Sequence, residues 1–110
     1  MDDRRQHSRH STELQLEVFD LHTGQRLGRV ADLSADGFML FSDKPHRADS
    51  LVECRLVSEQ VIDGVGEIQL SADCLWSRPG ADGQHCWAGF HIVDIEQDQA
   101  AALEVLLEHL

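Results

Sequence analysis

Residues Glu67 to Ser77 carry the feature that most restricts the fold of this chain. Ile68, Leu70, Ala72, Cys74 and Trp76 fall on one phase, and Glu67, Gln69, Ser71 and Asp73 on the other. A period of two is the mark of a strand with one buried face. The same alternation returns in shorter stretches. Leu14, Leu16 and Val18 define a strand from Glu13, and the turn His22-Thr23-Gly24-Gln25 leads into a second from Arg26 to about Asp32. Phe38 to Phe41 reads as the returning strand of a hairpin. After the polar loop Ser42–Asp49, Val52, Cys54 and Leu56 face one way in a strand from Ser50 to Val57. Glu59 to Gly66, with two glycines, reads as a connection. Pro79-Gly80-Ala81-Asp82-Gly83 is a turn, and Gln84 to Val93 forms the last strand, with Cys86, Ala88, Phe90 and Ile92 inward.

Beyond Val93 the period changes. Leu103, Leu106, Leu107 and Leu110 recur at helical spacing, and Asp94 with Gln97 three residues on has the form of an N-terminal cap. About six short strands joined by turns, then an amphipathic helix at about 95–109, predict an all-β fold. It is a six-stranded antiparallel barrel with the C-terminal helix laid across one opening or side. Closing the sheet would leave no open edge. The barrel domain is expected over 13–110, preceded by a flexible arm over 1–12.

Charge narrows the function. Nine Lys and Arg stand against twenty Asp and Glu, a net charge of −11. That excludes a broad nucleic-acid or anionic-membrane surface, since both require a wide basic face. No apolar run opens the chain and no window reaches membrane-spanning length, so a cytoplasmic protein without membrane insertion is expected. Cys54, Cys74 and Cys86 are odd in number, and each falls on the inward phase of a strand; buried free thiols in a reducing compartment are expected. No nucleophile elbow, phosphate loop or dinucleotide fingerprint occurs. The pairs His7/His10 and His85/His91 lack metal-ligand spacing with a cysteine or carboxylate. Neither an enzyme nor a metal site is expected. Trp76 continues the inward phase and belongs in the core. Trp87 is on the outward phase, a partner contact or a residue covered by the helix, and Arg78 is an exposed strand-end charge.

Three of the basic residues, Arg4, Arg5 and Arg9, gather in one short arm. Arginine's planar fork makes bidentate bonds to phosphate and to the O6/N7 edge of guanine. Arg5-Gln6-His7-Ser8-Arg9 has the spacing RxxxR. Further on, Asp32-Leu33-Ser34-Ala35-Asp36-Gly37 has the spacing DxSxxG at a strand–strand turn, with glycine where a positive φ is easiest. Each alone is weak, and the second is also simply a good hairpin turn. In this order, one just ahead of the first strand and one at the turn, they resemble the PilZ domain, the bacterial receptor module for cyclic di-GMP. Trp76 ending a long strand and Gly89-Phe90 in the last strand are similar to that family's downstream pattern.

The resemblance spans nearly the whole chain and implies a site. Arg4, Arg5, Arg9, Asp32, Ser34 and Gly37 would bind cyclic di-GMP, alone or as a stacked dimer whose added charge Arg4 would help neutralise. Asp32 would accept from guanine N1–H and N2–H, Ser34 would meet a phosphate or base amine, and Gly37 would leave room for the ligand. The resemblance implies a receptor or adaptor whose arm moves on binding and which signals to an effector protein. The alternative within the same fold is an adaptor that binds a protein and no nucleotide.

Overall fold

The computed structural model describes residues 10–11 and 15–109. Arg4, Arg5 and Arg9 lie outside the described residues, as do Glu13 and Leu14 at the expected start of the first strand. Seven strands and one helix follow in order: β1 (His10–Ser11), β2 (Leu16–Asp20), β3 (Arg26–Leu33), β4 (Gly37–Ser42), β5 (Ser50–Ile62), β6 (Val65–Pro79), β7 (Cys86–Asp94) and α1 (Gln97–Leu107).

Every ladder is antiparallel. β2 pairs with β3 and β5, β5 with β6, β6 with β7, β7 with β4, and β4 with β3, which closes a six-stranded barrel. The two-residue β1 is extra. It continues along the edge of β3 that β2 also uses, with His10 opposite Leu33 and Ser11 opposite Asp32. The short tight turns joining β2 to β3 and β3 to β4 follow from polar tetrads. At the first of them Asp20 accepts the backbone N–H of His22 and Thr23, at 2.7 and 2.9 Å, and these bonds hold its carboxyl below the usual range.

The alternation that predicted the strands fills the barrel. Leu16, Leu40, Cys54, Leu56, Ile68 and Ala72 have no exposed surface, and Phe38 stacks on its cross-strand partner Phe90 with centroids 5.1 Å apart. Each buried leucine or isoleucine contributes about 1.5–3 kcal/mol by leaving water. Burial also pushes the Cys54 thiol up to about 12, and raises that of Cys74. The helix seals the structure with Leu103 and Leu106, against the side of β6, where the Gln69 amide donates to the Gln99 side chain at 2.7 Å.

Three local expectations are corrected. Residues 59–66 are not a loose connection: β5 runs to Ile62, β6 starts at Val65, and Asp63-Gly64 reverse the chain with φ of 50° and 84°. Two positive φ angles make the two-residue hairpin that an Asp-Gly pair favours. The helix is not capped by Asp94, which ends β7; Glu96 holds the N-cap position without a side-chain bond. Trp76 is not in the core. β6 bulges at Leu75, so that Cys74 faces Phe90 and Trp76 faces Gly89. One extra residue reverses the phase of everything after it. Leu75 is left 55% exposed and the Trp76 indole lies half-buried on the outer wall.

Candidate functional site

The DxSxxG segment spans the end of β3, a turn, and the first residue of β4. The Ser34 N–H donates to the Gly37 carbonyl at 2.9 Å, closing the turn. The Ser34 hydroxyl donates to the same carbonyl and accepts from the Asp36 N–H, both at a long 3.3 Å. The turn is also tied sideways, because the Ile92 N–H of β7 donates to the Asp36 carbonyl at 2.8 Å.

Gly37 is needed for a different reason from the expected one. Its φ is not positive, so the turn does not call for glycine by its dihedrals. A Cβ there would sit 2.2 Å from the Phe90 carbonyl oxygen and 3.3 Å from the His91 Cα. Glycine lets β7 pass against the turn, and the close approach it permits is that of the protein's own backbone.

Asp32, Ser34 and Gly37 come together on one cavity of about 270 Å³, completed by Met39, Leu75 and His91 among others. Asp32 is half-buried on the outward phase, opposite Met39. Leu75, Met39 and His91 were missed by motif reasoning. Met39 and His91 were legible as the outward residues of strands flanking the turn, whereas Leu75 arrives only through the bulge. The cavity is not the largest: one of about 380 Å³ lies among residues 25–27 and 43–46. Its arginine, Arg26, is already paired with Glu17 at 3.3 Å and with Asp43 at 4.0 Å, and it holds none of the motif residues.

Charge defines what the motif cavity lacks. Its described lining contains the carboxylates Asp32 and Asp36 and no lysine or arginine. Its volume is also small for a nucleotide-sized ligand, since enclosed sites of that kind run to roughly 300–1,000 Å³. Beside it, β1 pairs with Asp32 and Leu33. In the same cross-strand row as Asp32 and Met39, the Trp76 indole lies over Gly89, where a Cβ would meet its Nε1 at 2.3 Å, and the Arg78 guanidinium stacks 4.7 Å over the indole. Among the described residues, no group of three or more His, Cys, Asp or Glu side chains is placed to hold a metal ion.

The family model of the PilZ domain matches residues 3–109. The chain belongs to the PilZ-domain family. Solved PilZ-like structures share the barrel at low identity. With the Bacillus subtilis inhibitor of motility (MotI/DgrA) the TM-score is 0.69 at 16% identity, over 98% of this chain and 52% of that one. With the K. pneumonia MrkH–c-di-GMP complex it is 0.70 at 17%, over 91% and 48%. With the PilZ domain of CeSA from a cellulose-synthesizing bacterium it is 0.61 at 20%, over 92% and 95%. The chain thus spans about half the length of the first two and nearly all of the third. No curated protein matches it. At these identities the likeness speaks for the fold. No described helix is long and apolar enough to cross a membrane.

Proposed function

We propose that this PilZ domain is a cytoplasmic receptor for cyclic di-GMP, with no catalytic role, that passes the signal to an effector protein. One observation carries the reading: β1 pairs with Asp32 and Leu33. Arg9 directly precedes His10 in the chain, and His10 is paired with Leu33 of the motif. Because β1 and β3 are antiparallel, the N-terminal end of β1 faces the Ser34 side of the motif. The cavity, whose described lining holds no lysine or arginine, and the arginine-rich arm complement each other. A dianion has little reason to enter a pocket lined by two carboxylates until Arg5 and Arg9 close over it. The solved MrkH structure named as a complex with c-di-GMP supports the choice of ligand.

The roles follow from the chemistry. Arg5 and Arg9 fork onto a phosphate or a guanine O6/N7 edge, with Arg4 as an added cation. Asp32 accepts from guanine N1–H and N2–H, a pairing that adenine does not offer. Ser34 turns its hydroxyl from two long bonds within the turn to a phosphate oxygen. Each charge-assisted bond contributes roughly 1.5–3 kcal/mol, against the cost of ordering the arm. Binding draws the arm ahead of β1 over the turn, and the surface so formed is the output. A stacked dimer of the nucleotide would employ Arg4, and a titration saturating at one nucleotide per chain would remove that part.

Isothermal titration of cyclic di-GMP, with cyclic di-AMP and GTP as controls, tests the reading. Selective micromolar or tighter binding is expected, with a loss of at least tenfold in Arg9→Ala. Absence of binding by the folded protein overturns it. Hydrogen exchange of the arm amides, if unchanged by nucleotide, overturns the closure alone.

A further inference from the structure

The outer wall of the barrel carries a second, separate arrangement. Arg29 faces Phe41 across β3 and β4, Phe41 faces Trp87 across β4 and β7, and Trp87 faces Arg78 across β7 and β6. The four form one row across four neighbouring strands, on the phase opposite to buried Val30, Leu40 and Ala88. The Phe41 and Trp87 rings touch, with centroids 4.8 Å apart. His85 stacks on Phe41 at 4.6 Å and is itself fixed by Asp82 at 2.6 Å and Asp43 at 3.5 Å. The helix lies elsewhere, near Gln69, and does not cover the row.

The two arginines are treated unlike their neighbours. Arg26 pairs with Glu17 and Arg55 with Glu67, as an acid-rich surface would lead one to expect. Among the described residues, Arg29 and Arg78 pair with no carboxylate. Arg29 lies 5.8 Å over Phe41, and Arg78 lies 4.7 Å over Trp76. A guanidinium resting on a ring keeps its in-plane N–H donors turned outward and unspent. In a chain of net charge −11, an aromatic pair flanked by two cations with no carboxylate partner among the described residues has a definite complement.

We infer that this row docks an acidic segment of a partner protein. Three strand spacings separate Arg29 from Arg78, roughly 14 Å. An extended segment with carboxylates four residues apart spans about 13 Å and meets both cations, while an apolar side chain between them covers Phe41 and Trp87. Aromatic and arginine residues are the usual anchors of such contacts. A nucleic acid fits worse, because its closely spaced phosphates would meet Asp43 and the Asp32 of the adjoining row as well as the two arginines. The row stands independently of the nucleotide reading, though Met39 and Asp32, one row away, line the motif cavity.

The test uses a five-residue peptide with glutamate at both ends and leucine at its centre, titrated to 5 mM against the isotopically labelled full chain. Saturable shifts are expected in the Trp87 indole N–H and the Arg29 and Arg78 Nε–H signals, with Trp87 assigned from the spectrum of Trp87→Phe. The same peptide ended with lysines, and a ten-nucleotide uridine RNA, should leave these signals in place. The R29E/R78E double variant should weaken binding at least tenfold while keeping the dispersed spectrum of a folded barrel. Arg9→Ala should keep the peptide shifts, which separates this surface from the nucleotide site. No shift of Trp87 at 5 mM, equal binding to the double variant, loss of the shifts in Arg9→Ala, or a stronger response to the RNA each overturns the proposal.

Discussion

Two of the turns in this barrel that use aspartate and glycine are built on opposite principles. At Asp63-Gly64 both residues have positive φ, and a Cβ on Gly64 would meet nothing within 4 Å. That turn is determined by its own dihedrals at the tip of a long hairpin, where the His109 ring comes within 3.5 Å of the Asp63 carboxylate. At Ser34–Gly37 the glycine has no positive φ, a Cβ would strike the Phe90 carbonyl at 2.2 Å, and β7 donates a hydrogen bond to Asp36. This turn is determined by the strand beside it. A ligand site gains from the second kind of construction, since the turn cannot shift without moving the wall that backs it.

The difference is broken most directly by Gly37→Ala. Relieving a backbone clash requires β4 and β7 to part, so a loss on the order of 3 kcal/mol or more in unfolding free energy is expected, with nucleotide binding lost as well. Urea titration of the variant measures it. A loss under about 1 kcal/mol would mean that the turn and β7 are not coupled.

A perturbation that touches neither turn sets the scale for both. Cys54 sits in the wall with no exposed surface and its thiol pushed up to about 12. Above its ordinary value of 9.0 the unfolded chain releases this proton while the folded chain keeps it, so stability falls as pH rises. The loss begins near pH 9, grows up to about pH 12, and reaches roughly 2 kcal/mol at pH 10.5. The urea midpoint followed from pH 8 to 10.5 should fall, less steeply in Cys54→Ala. The chain has no tyrosine to obscure that range, while Cys74, also raised by burial, adds a smaller slope of the same sign. Next in size is Gly64→Ala. Alanine at a positive φ costs about 1 kcal/mol, the space around it is open, and cyclic di-GMP binding should be unaffected.

The contrast also explains what the sequence disclosed. The alternation of residues 67–74 and the spacing of Leu103 and Leu106 are local records of burial, and both were legible. The bulge at Leu75 was not, because an extra residue is imposed by pairing with β7 and leaves no mark in the alternation. It carried Trp76 from the expected core to the outer wall. The Asp63-Gly64 hairpin was signalled, but the exposed, weakly patterned residues 59–61 before it concealed the strand. In the site, Asp32, Ser34 and Gly37 were legible as a spacing. The packing reason for Gly37 was not, since it comes from Phe90, more than fifty positions away in the chain.

Ser34→Ala has the smallest effect on stability and divides the turn's two functions. The hydroxyl makes only long bonds, at 3.3 Å, to the Gly37 carbonyl and from the Asp36 N–H. The closing bond from the Ser34 N–H at 2.9 Å belongs to the backbone and survives the substitution, as does the bond from Ile92. Unfolding free energy should therefore change by less than about 0.5–1 kcal/mol. If the hydroxyl contacts a phosphate, losing that charge-assisted bond should weaken cyclic di-GMP binding about tenfold, roughly 1.5 kcal/mol. Gly37→Ala then loses fold and ligand together, Gly64→Ala a little of the fold alone, and Ser34→Ala the ligand alone. Parallel titrations of urea and nucleotide on the three variants measure this. Equal ligand affinity in Ser34→Ala and the native chain would assign Ser34 to the turn and leave recognition to Asp32 and the arginines.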